Sequence, residues 1–260
     1  MKNKFPHCAA NEHIHLREVC VTQRSTDAKS VLKRIHGGLV LDIASGTGSF
    51  AAAMEQSFTN CSMIVAADTS EKSVKLVRKN LNSGIIVPVL TDGNRLSFQD
   101  GTFDTVAVSN SLHHLTDPEL VLKEMMRTLA PGGHFIISEM FRGGDQTPAQ
   151  QTHTVLHDWW AAVDSLNGIV HNPVFTRTEL RNLIENTGLS SLEFYTVEDT
   201  GGDPFDSETI AYLNSVLDSY EKRAGGSKTV IDQGELARNH LEKHGFTGAR
   251  ALLAVGTKPV

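Results

Sequence analysis

The chain has 260 residues, 40% of them apolar and 21% charged, with a formal net charge of −6. A chain of this size buries roughly three quarters of the surface it exposes when unfolded, so it can hold one large core, or one core with an added subdomain. The composition is that of a soluble globular protein, and the acidic balance argues against a protein built to coat nucleic acid or anionic lipid. Three cysteines, Cys8, Cys20 and Cys61, are odd in number and widely spaced, with no CxxC or zinc spacing. No disulfide framework is expected, and a reducing compartment fits best. The start "MKNKFPHCAANEHIH" has basic residues but no apolar h-region, and no apolar run is long enough to span a bilayer. A cytoplasmic protein is therefore expected.

In chain order, residues 12–36 read as a helical segment of mixed polarity. "LVLDI" (39–43) is a short apolar strand that runs into a glycine turn, "ASGTGSFAAA", and a helix start. "SMIVAAD" (62–68) is the next strand, followed by a helix capped at Thr69 or Ser70 with Val74, Val77 and Leu81 on one face. "IIVPVL" (85–90) and "FDTVAVS" (103–109) are strand-like, and Pro88 points to an edge or irregular position. "TDPELVLKEMMRTL" opens with a cap at Thr116 or Asp117 and a proline in its first turn; "LAPGG" closes it, and "HFIISEM" (134–140) is a fifth strand. "TRTEL" opens a helix with a capping box, Thr176 and Glu179. "SLEFYTVE" (191–198) and "RALLAVGTK" (250–258) are two further strands. Between them lie two helices, one carrying Ile210, Leu213, Leu217 and Tyr220, the other starting near Asp232 with Glu235 three residues on, joined at "AGGSK".

Strands alternating with helices imply parallel pairing and right-handed crossovers. The expected architecture is α/β: a doubly wound, seven-stranded, mostly parallel sheet with an N-terminal helical segment and a helical insert between the last two strands. One domain is expected: a cap over 1–36, a cofactor-binding core over 37–141, acceptor-side helices over 142–190, and the insert over 200–248 as a lid, a dimer element or edge cover.

A strand, a tight glycine turn and a helix N-terminus together form a site for polar or anionic groups. "GTGSFA" (46–51) fits the dinucleotide pattern GxGxxA, and Asp68 follows Gly46 by 22 residues, where a ribose-binding acid belongs. That motif alone does not separate a nicotinamide dinucleotide from S-adenosylmethionine. Asp42, inside the turn, would repel a pyrophosphate and attract an ammonium group. Asp92, after the third strand, could accept from an adenine amino group. "DGTFDTVAVSNSLHHL" and "RTLAPGGHFIIS" then follow at ordinary spacings.

In this order of motifs the sequence resembles the class I S-adenosylmethionine-dependent methyltransferases, specifically the small-molecule group that includes the ubiquinone/menaquinone-type enzymes. The resemblance covers residues 37–141, and more loosely the helix and strand over 176–198. One departure is Ala44, which stands where the family's acidic-x-Gly-x-Gly-x-Gly has its first glycine. Alanine is tolerated there if the position does not need a positive φ. The resemblance implies S-adenosyl-L-methionine as cofactor and S-adenosyl-L-homocysteine as product. It further implies Asp42, Ala44, Gly46 and Gly48 at the methionine end, Asp68 and Thr69 at the ribose, Asp92 and Gly93 at the adenine, and the backbone of Ser109 near the methionine amine.

The acceptor side is read from the residues themselves. "NSLHHLTD" follows the fourth strand, at the carboxyl edge where ligands of open α/β sheets bind. It lacks the Asn-Pro-Pro-aromatic signature of amino-group nucleic-acid methyltransferases, and no Pro-Cys nucleophile is present. His113 is a candidate base, and His114 is expected to pack structurally. In "QTHTVLHDWWAAVDSLNGIVHNPVF" (151–175), His153, His157, Trp160 and Asp164 share one narrow helical stripe bordering the apolar face. His157 is a second candidate base; His153, Trp160, Asp164 and His171 are candidate acceptor-binding residues. No His-Glu-x-x-His is present, so no metal is expected, the minority readings being His153 and His157 with His171, and the N-terminal "HCAANEHIH". The expected partner is a small-molecule acceptor, with a homodimer through the insert as an alternative use of that segment. A non-catalytic cofactor-binding protein and an NAD(P)-linked oxidoreductase are the competing readings.

Overall fold

The computed structural model describes residues 28–198 and 202–260. Cys8, Cys20, the N-terminal histidines and most of the helix expected over 12–36 lie outside the described residues. Within them, α1 spans Ala28–Leu32 and ends before His36, where the first strand begins.

Seven strands form one sheet in the order β3-β2-β1-β4-β5-β7-β6. They are β1 (His36–Ile43), β2 (Thr59–Asp68), β3 (Ile86–Leu90), β4 (Phe103–Ser109), β5 (Leu129–Met140), β6 (Ser190–Val197) and β7 (Ala251–Thr257). The first five pair in parallel, and β7 runs antiparallel between β5 and β6. This is the expected doubly wound, mostly parallel sheet. β3 is an edge strand, which is why Pro88 is tolerated: it has a ladder partner, Ala66, on one side only. Strand order reverses between β1 and β4, so the crevice at their carboxyl ends is the natural ligand position.

The period of two divides the strand residues between two cores. Leu41, Ile43, Val106, Val108, Phe135 and Ile137 pack with Val121 and Met125 of α4 (Pro118–Thr128) and Leu180 and Ile184 of α6 (Arg177–Glu185). Val40, Ala107 and Ile136 point the other way. They meet Val31 and Leu32 of α1, Met54 of α2 (Ser49–Ser57) and Val77 of α3 (Glu71–Asn80). Local signals set the helix starts: Ser70 caps α3, Asp117 caps α4 ahead of Pro118, and Thr176 with Glu179 forms a complete capping box on α6.

Several boundaries differ from the sequence reading, among them the start of β2 at Thr59 rather than at residue 62. β1 begins at His36, and β5 begins at Leu129, because "LAPGG" continues as extended chain with a register shift between the Phe103 and Thr105 pairings. The second insert helix, α8 (Lys228–His244), starts after Ser227, earlier than Asp232; Asp232 lies one turn inside it and pairs with Lys228.

A third core lies beside the sheet. Trp159, Trp160 and Val163 of α5 (Pro148–Leu166) pack with Leu213, Leu217 and Tyr220 of α7 (Ser207–Arg223) and Val230, Ala237 and Leu241 of α8. The insert thus lies against α5. Trp159 Nε1 donates to the Val230 carbonyl at 2.9 Å, which seats its ring on the start of α8. At Gly234 a Cβ would stand 2.8 Å from Cζ2 of that ring. Gly234→Val should therefore overpack the α5–α8 contact and destabilise the protein by about 1–3 kcal/mol in urea denaturation. Unchanged stability would contradict this packing.

Candidate active site

The glycine turn at the end of β1 is built from left-handed residues. Ala44, Gly46 and Gly48 have φ of 52°, 54° and 86°. The condition under which alanine is free of strain at position 44, that no positive φ is needed, is not met, and its methyl group carries the strain that glycine would not. The turn is tied down at several points: Ser45 N donates to the Ala67 carbonyl at 3.1 Å, and Gly48 N to the Ser45 carbonyl at 2.8 Å. Asp68 bridges the turn and the next helix. Its Oδ2 accepts from Gly46 N at 2.8 Å and its Oδ1 from Ser70 N at 2.8 Å. Each oxygen keeps a second lone pair, so the carboxylate can hold the loop and still accept from a hydroxyl.

The residues of this turn fit a polar ligand with a cationic end. Asp42, 1% exposed, lies below the turn. Ser45 Oγ is buried with no hydrogen-bond partner among the described residues, and so has bonding capacity to offer a polar ligand. Asp92 and Thr69 are exposed, Gly93 and Ser109 half-buried. Asp92 Oδ1 accepts from the backbone and side-chain nitrogens of Asn94, both at 2.9 Å, forming an Asx turn after β3. The Ser109 carbonyl accepts from Ser111 Oγ at 2.8 Å. S-adenosylmethionine, with an ammonium group, ribose hydroxyls and an adenine amine, matches this donor and acceptor set.

The chain leaves β4 through Asn110, at φ 44°, into a 3-10 turn over Leu112–His114. A residue the sequence reading passed over organises this turn. Glu139 of β5, 0% exposed, accepts from Ser111 N at 2.9 Å and Leu112 N at 2.8 Å through Oε2, while its Oε1 stands 2.7 Å from His113 Nδ1. The signal was available: Glu139 is the one charged side chain within "FIISEM", an otherwise apolar strand end. Ser111 Oγ also lies 3.2 Å from the Ala44 carbonyl. The glycine turn and the histidine turn are thus joined through one serine.

The helical stripe meets this turn. The ring centroids of His113 and His157 are 5.3 Å apart, those of His157 and Trp160 4.9 Å, and those of His153 and His157 4.9 Å. The segment after α5 folds back, and Asn172 N donates to the His113 carbonyl at 2.7 Å. This brings His171 to 5.7 Å from both His113 and His157, with His114 at 4.3 Å from His171. His113, His157 and His171 are all buried. His153 differs from them. Its Nδ1 accepts from Ala249 N at 2.9 Å, and burial, then the nearby His113, hold its imidazolium down to a pKa of about 3.

Asp164 serves three donors: His171 Nδ1 at 2.8 Å, Tyr220 Oη at 3.2 Å and Arg223 at 2.5 Å. Burial pushes its carboxyl up, but the bonds from His171 and Arg223 outweigh that and leave it below the usual range. Burial and the Asp164 charge push the Tyr220 phenol up to about 12. Trp160 is fully buried against Tyr220, and its Nε1 has no hydrogen-bond partner among the described residues.

Residues 41–137 match a family model described as a methyltransferase domain. Over 178 residues the chain is 28% identical to a ubiquinone/menaquinone biosynthesis C-methyltransferase of Haemophilus ducreyi, covering 61% of this chain and 67% of that one. Over 107 residues it is 36% identical to the corresponding enzyme of Hydrogenovibrio crunogenus, covering 40% of this chain and 42% of that one. The fold is similar to that of phosphoethanolamine N-methyltransferase 2 of Haemonchus contortus, crystallised with S-adenosyl-L-methionine: TM-score 0.53, 16% identity, 89% of this chain and 52% of that one.

The strain at position 44 is measurable. Ala44→Gly should stabilise the protein by about 0.5–1 kcal/mol, the relief of a left-handed alanine less the added freedom of the unfolded chain. Thermal denaturation checks this, and a loss of stability would contradict the backbone geometry.

Proposed function

We infer, from the premise that the chain is a class I S-adenosylmethionine-dependent methyltransferase, that it transfers the methyl group to a small-molecule acceptor bound against the histidine cluster. One observation carries this reading: Ser111, next in the chain but one to His113, bonds the Ala44 carbonyl of the cofactor turn. The imidazoles thus adjoin the methionine end of the cofactor position, on the carboxyl edge of β1 and β4.

In this reading Asp42 and Ser45 hold the amino-acid end, Asp68 the ribose and Asp92 the adenine side. The bound cofactor supplies a methyl group already activated on a sulfonium. The chain's own task is to orient an acceptor in line, exclude water and take up its proton. Glu139 keeps a hydrogen on His113 Nδ1, so His113 Nε2 carries the lone pair that accepts a proton. His157, the neighbouring ring, is the second proton acceptor. An acceptor with an O–H or S–H suits such bases. So does a carbon made nucleophilic by deprotonation of an adjacent hydroxyl, and the curated relatives are named as C-methyltransferases. Among the described residues no helix is long and apolar enough to cross a membrane, and we take the cytoplasm as the working compartment.

The test pairs binding with turnover. Calorimetry should find S-adenosylhomocysteine bound and NAD or NADP bound much more weakly. A panel of phenols, quinols, thiols and amines should yield at least one methylated product. His157→Ala should lower turnover of that acceptor by about 10²–10⁴-fold with cofactor affinity within a few-fold. Cofactor binding without transfer to any acceptor would favour a non-catalytic binding protein instead.

A further inference from the structure

We propose that His113, His157 and His171 form a binding site for one divalent transition-metal ion of the zinc class, with a coordination position left open. Each of the three side chains offers one ligand atom, and these atoms lie within 4.8 Å of one another, all on buried residues. Three nitrogens around a tetrahedral ion at about 2.0–2.1 Å stand roughly 3.3 Å apart. The widest pair therefore closes by about 1.5 Å on binding, a movement that rotation about the side-chain torsions supplies.

Three further features point the same way. First, the two outer rings are oriented by carboxylates. Glu139 takes His113 Nδ1–H at 2.7 Å, and Asp164 takes His171 Nδ1–H at 2.8 Å. In the neutral ring each Nε2 then carries the lone pair, and the carboxylate makes it a better donor to a cation, as in carboxylate–histidine–zinc arrangements. Second, His113 Nε2 is buried with no hydrogen-bond partner among the described residues. A lone pair in that position needs a cation or a donor. Third, Glu139, 0% exposed, has no guanidinium or ammonium partner among the described residues, whereas Asp164, 2% exposed, bonds Arg223. A dication among the rings supplies the positive charge that Glu139 lacks.

Three neutral nitrogens favour zinc and the neighbouring first-row ions, and three protein ligands are the set that leaves a position for a small molecule. His153 is not the fourth ligand, because its Nδ1 accepts from Ala249 N. Ion binding does not depend on the methyl-transfer reading; only its catalytic use does. With the ion in place His113 Nε2 and the ligand nitrogen of His157 are both taken, and proton uptake by either atom belongs to the ion-free protein.

The experiment uses the whole chain, stripped with a chelator and titrated with Zn²⁺ and separately with Co²⁺, followed by calorimetry and visible absorption. One ion per chain and the intense ligand-field bands of tetrahedral Co²⁺ are expected. His157→Ala and His171→Ala should each weaken binding by about 100-fold or more, and Glu139→Gln by about 10–100-fold. His240→Ala, which removes one ring of the separate His240–His244 pair at 4.6 Å, should leave it unchanged. If an alanine variant unfolds, His171→Cys replaces it: a thiolate on the ion adds a sulfur-to-cobalt charge-transfer band. Absence of binding in the native chain, binding that survives the histidine replacements, or a His171→Cys protein without the new band overturns the proposal. Ion binding without methyl transfer upholds the site and defeats the functional reading. Methyl transfer by a chain that binds no ion does the reverse.

Discussion

The arrangement depends on a buried carboxylate. Glu139 sits in the sheet with no solvent exposure and accepts from two backbone amides and one imidazole. A charge in that position is unfavourable unless every lone-pair direction it needs is answered. The answering groups are Ser111 N, Leu112 N and His113, so the charge can be accommodated only if the chain after β4 turns in this one way. The same turn carries Ser111 Oγ to the Ala44 carbonyl. One carboxylate in β5 thereby fixes the 3-10 turn, holds His113 Nδ1, and sets where the imidazoles stand relative to the glycine turn.

A second buried carboxylate extends this to the helical side. Asp164, near the end of α5, draws together His171 from the following loop and Tyr220 and Arg223 from α7. The insert supplies Tyr220 and Arg223 to Asp164, and the bonds from His171 and Arg223 hold that carboxyl below its usual range. The return from α8 to β7 is also stitched to α5 and to the turn before it, with Thr247 N on the Ala149 carbonyl, Ala249 N on His153 and Arg250 N on Gln146 Oε1. Loss of the third core would loosen His153, His157 and His171 together, while the cofactor turn, held by Asp68 and the β1–β2 pairing, would remain.

The parts of this fold that were legible in sequence are those set within a few residues. Ser70, Asp117 and the Thr176–Glu179 box start their helices through bonds three residues long. The alternation in β1, β4 and β5 follows from the period of a strand, and Pro88 named its own edge. The stripe of His153, His157, Trp160 and Asp164 was readable because one helix carries all four. What was not legible depends on partners far away in the chain. Glu139 reaches His113 across 26 residues and Arg223 reaches Asp164 across 59, and no local pattern announces either contact. The helical stripe set His153 beside His157, and their rings stand 4.9 Å apart; the approach of His113 and His171 to the same ring is made by the turn after β4 and by the loop after α5. The positive φ of Ala44 was hidden for a different reason: alanine carries no conformational label, and the constraint comes from the loop around it.

A structure with S-adenosylhomocysteine bound is the most direct measurement of the central claim, that the cofactor turn and the histidine cluster form one site joined through Ser111. The account predicts the amino-acid end near Asp42 and Ser45, the ribose at Asp68, and the sulfur facing the side on which His113 and His157 lie. A sulfur directed away from both imidazoles, with the cluster sealed from the cofactor by intervening side chains, would contradict it.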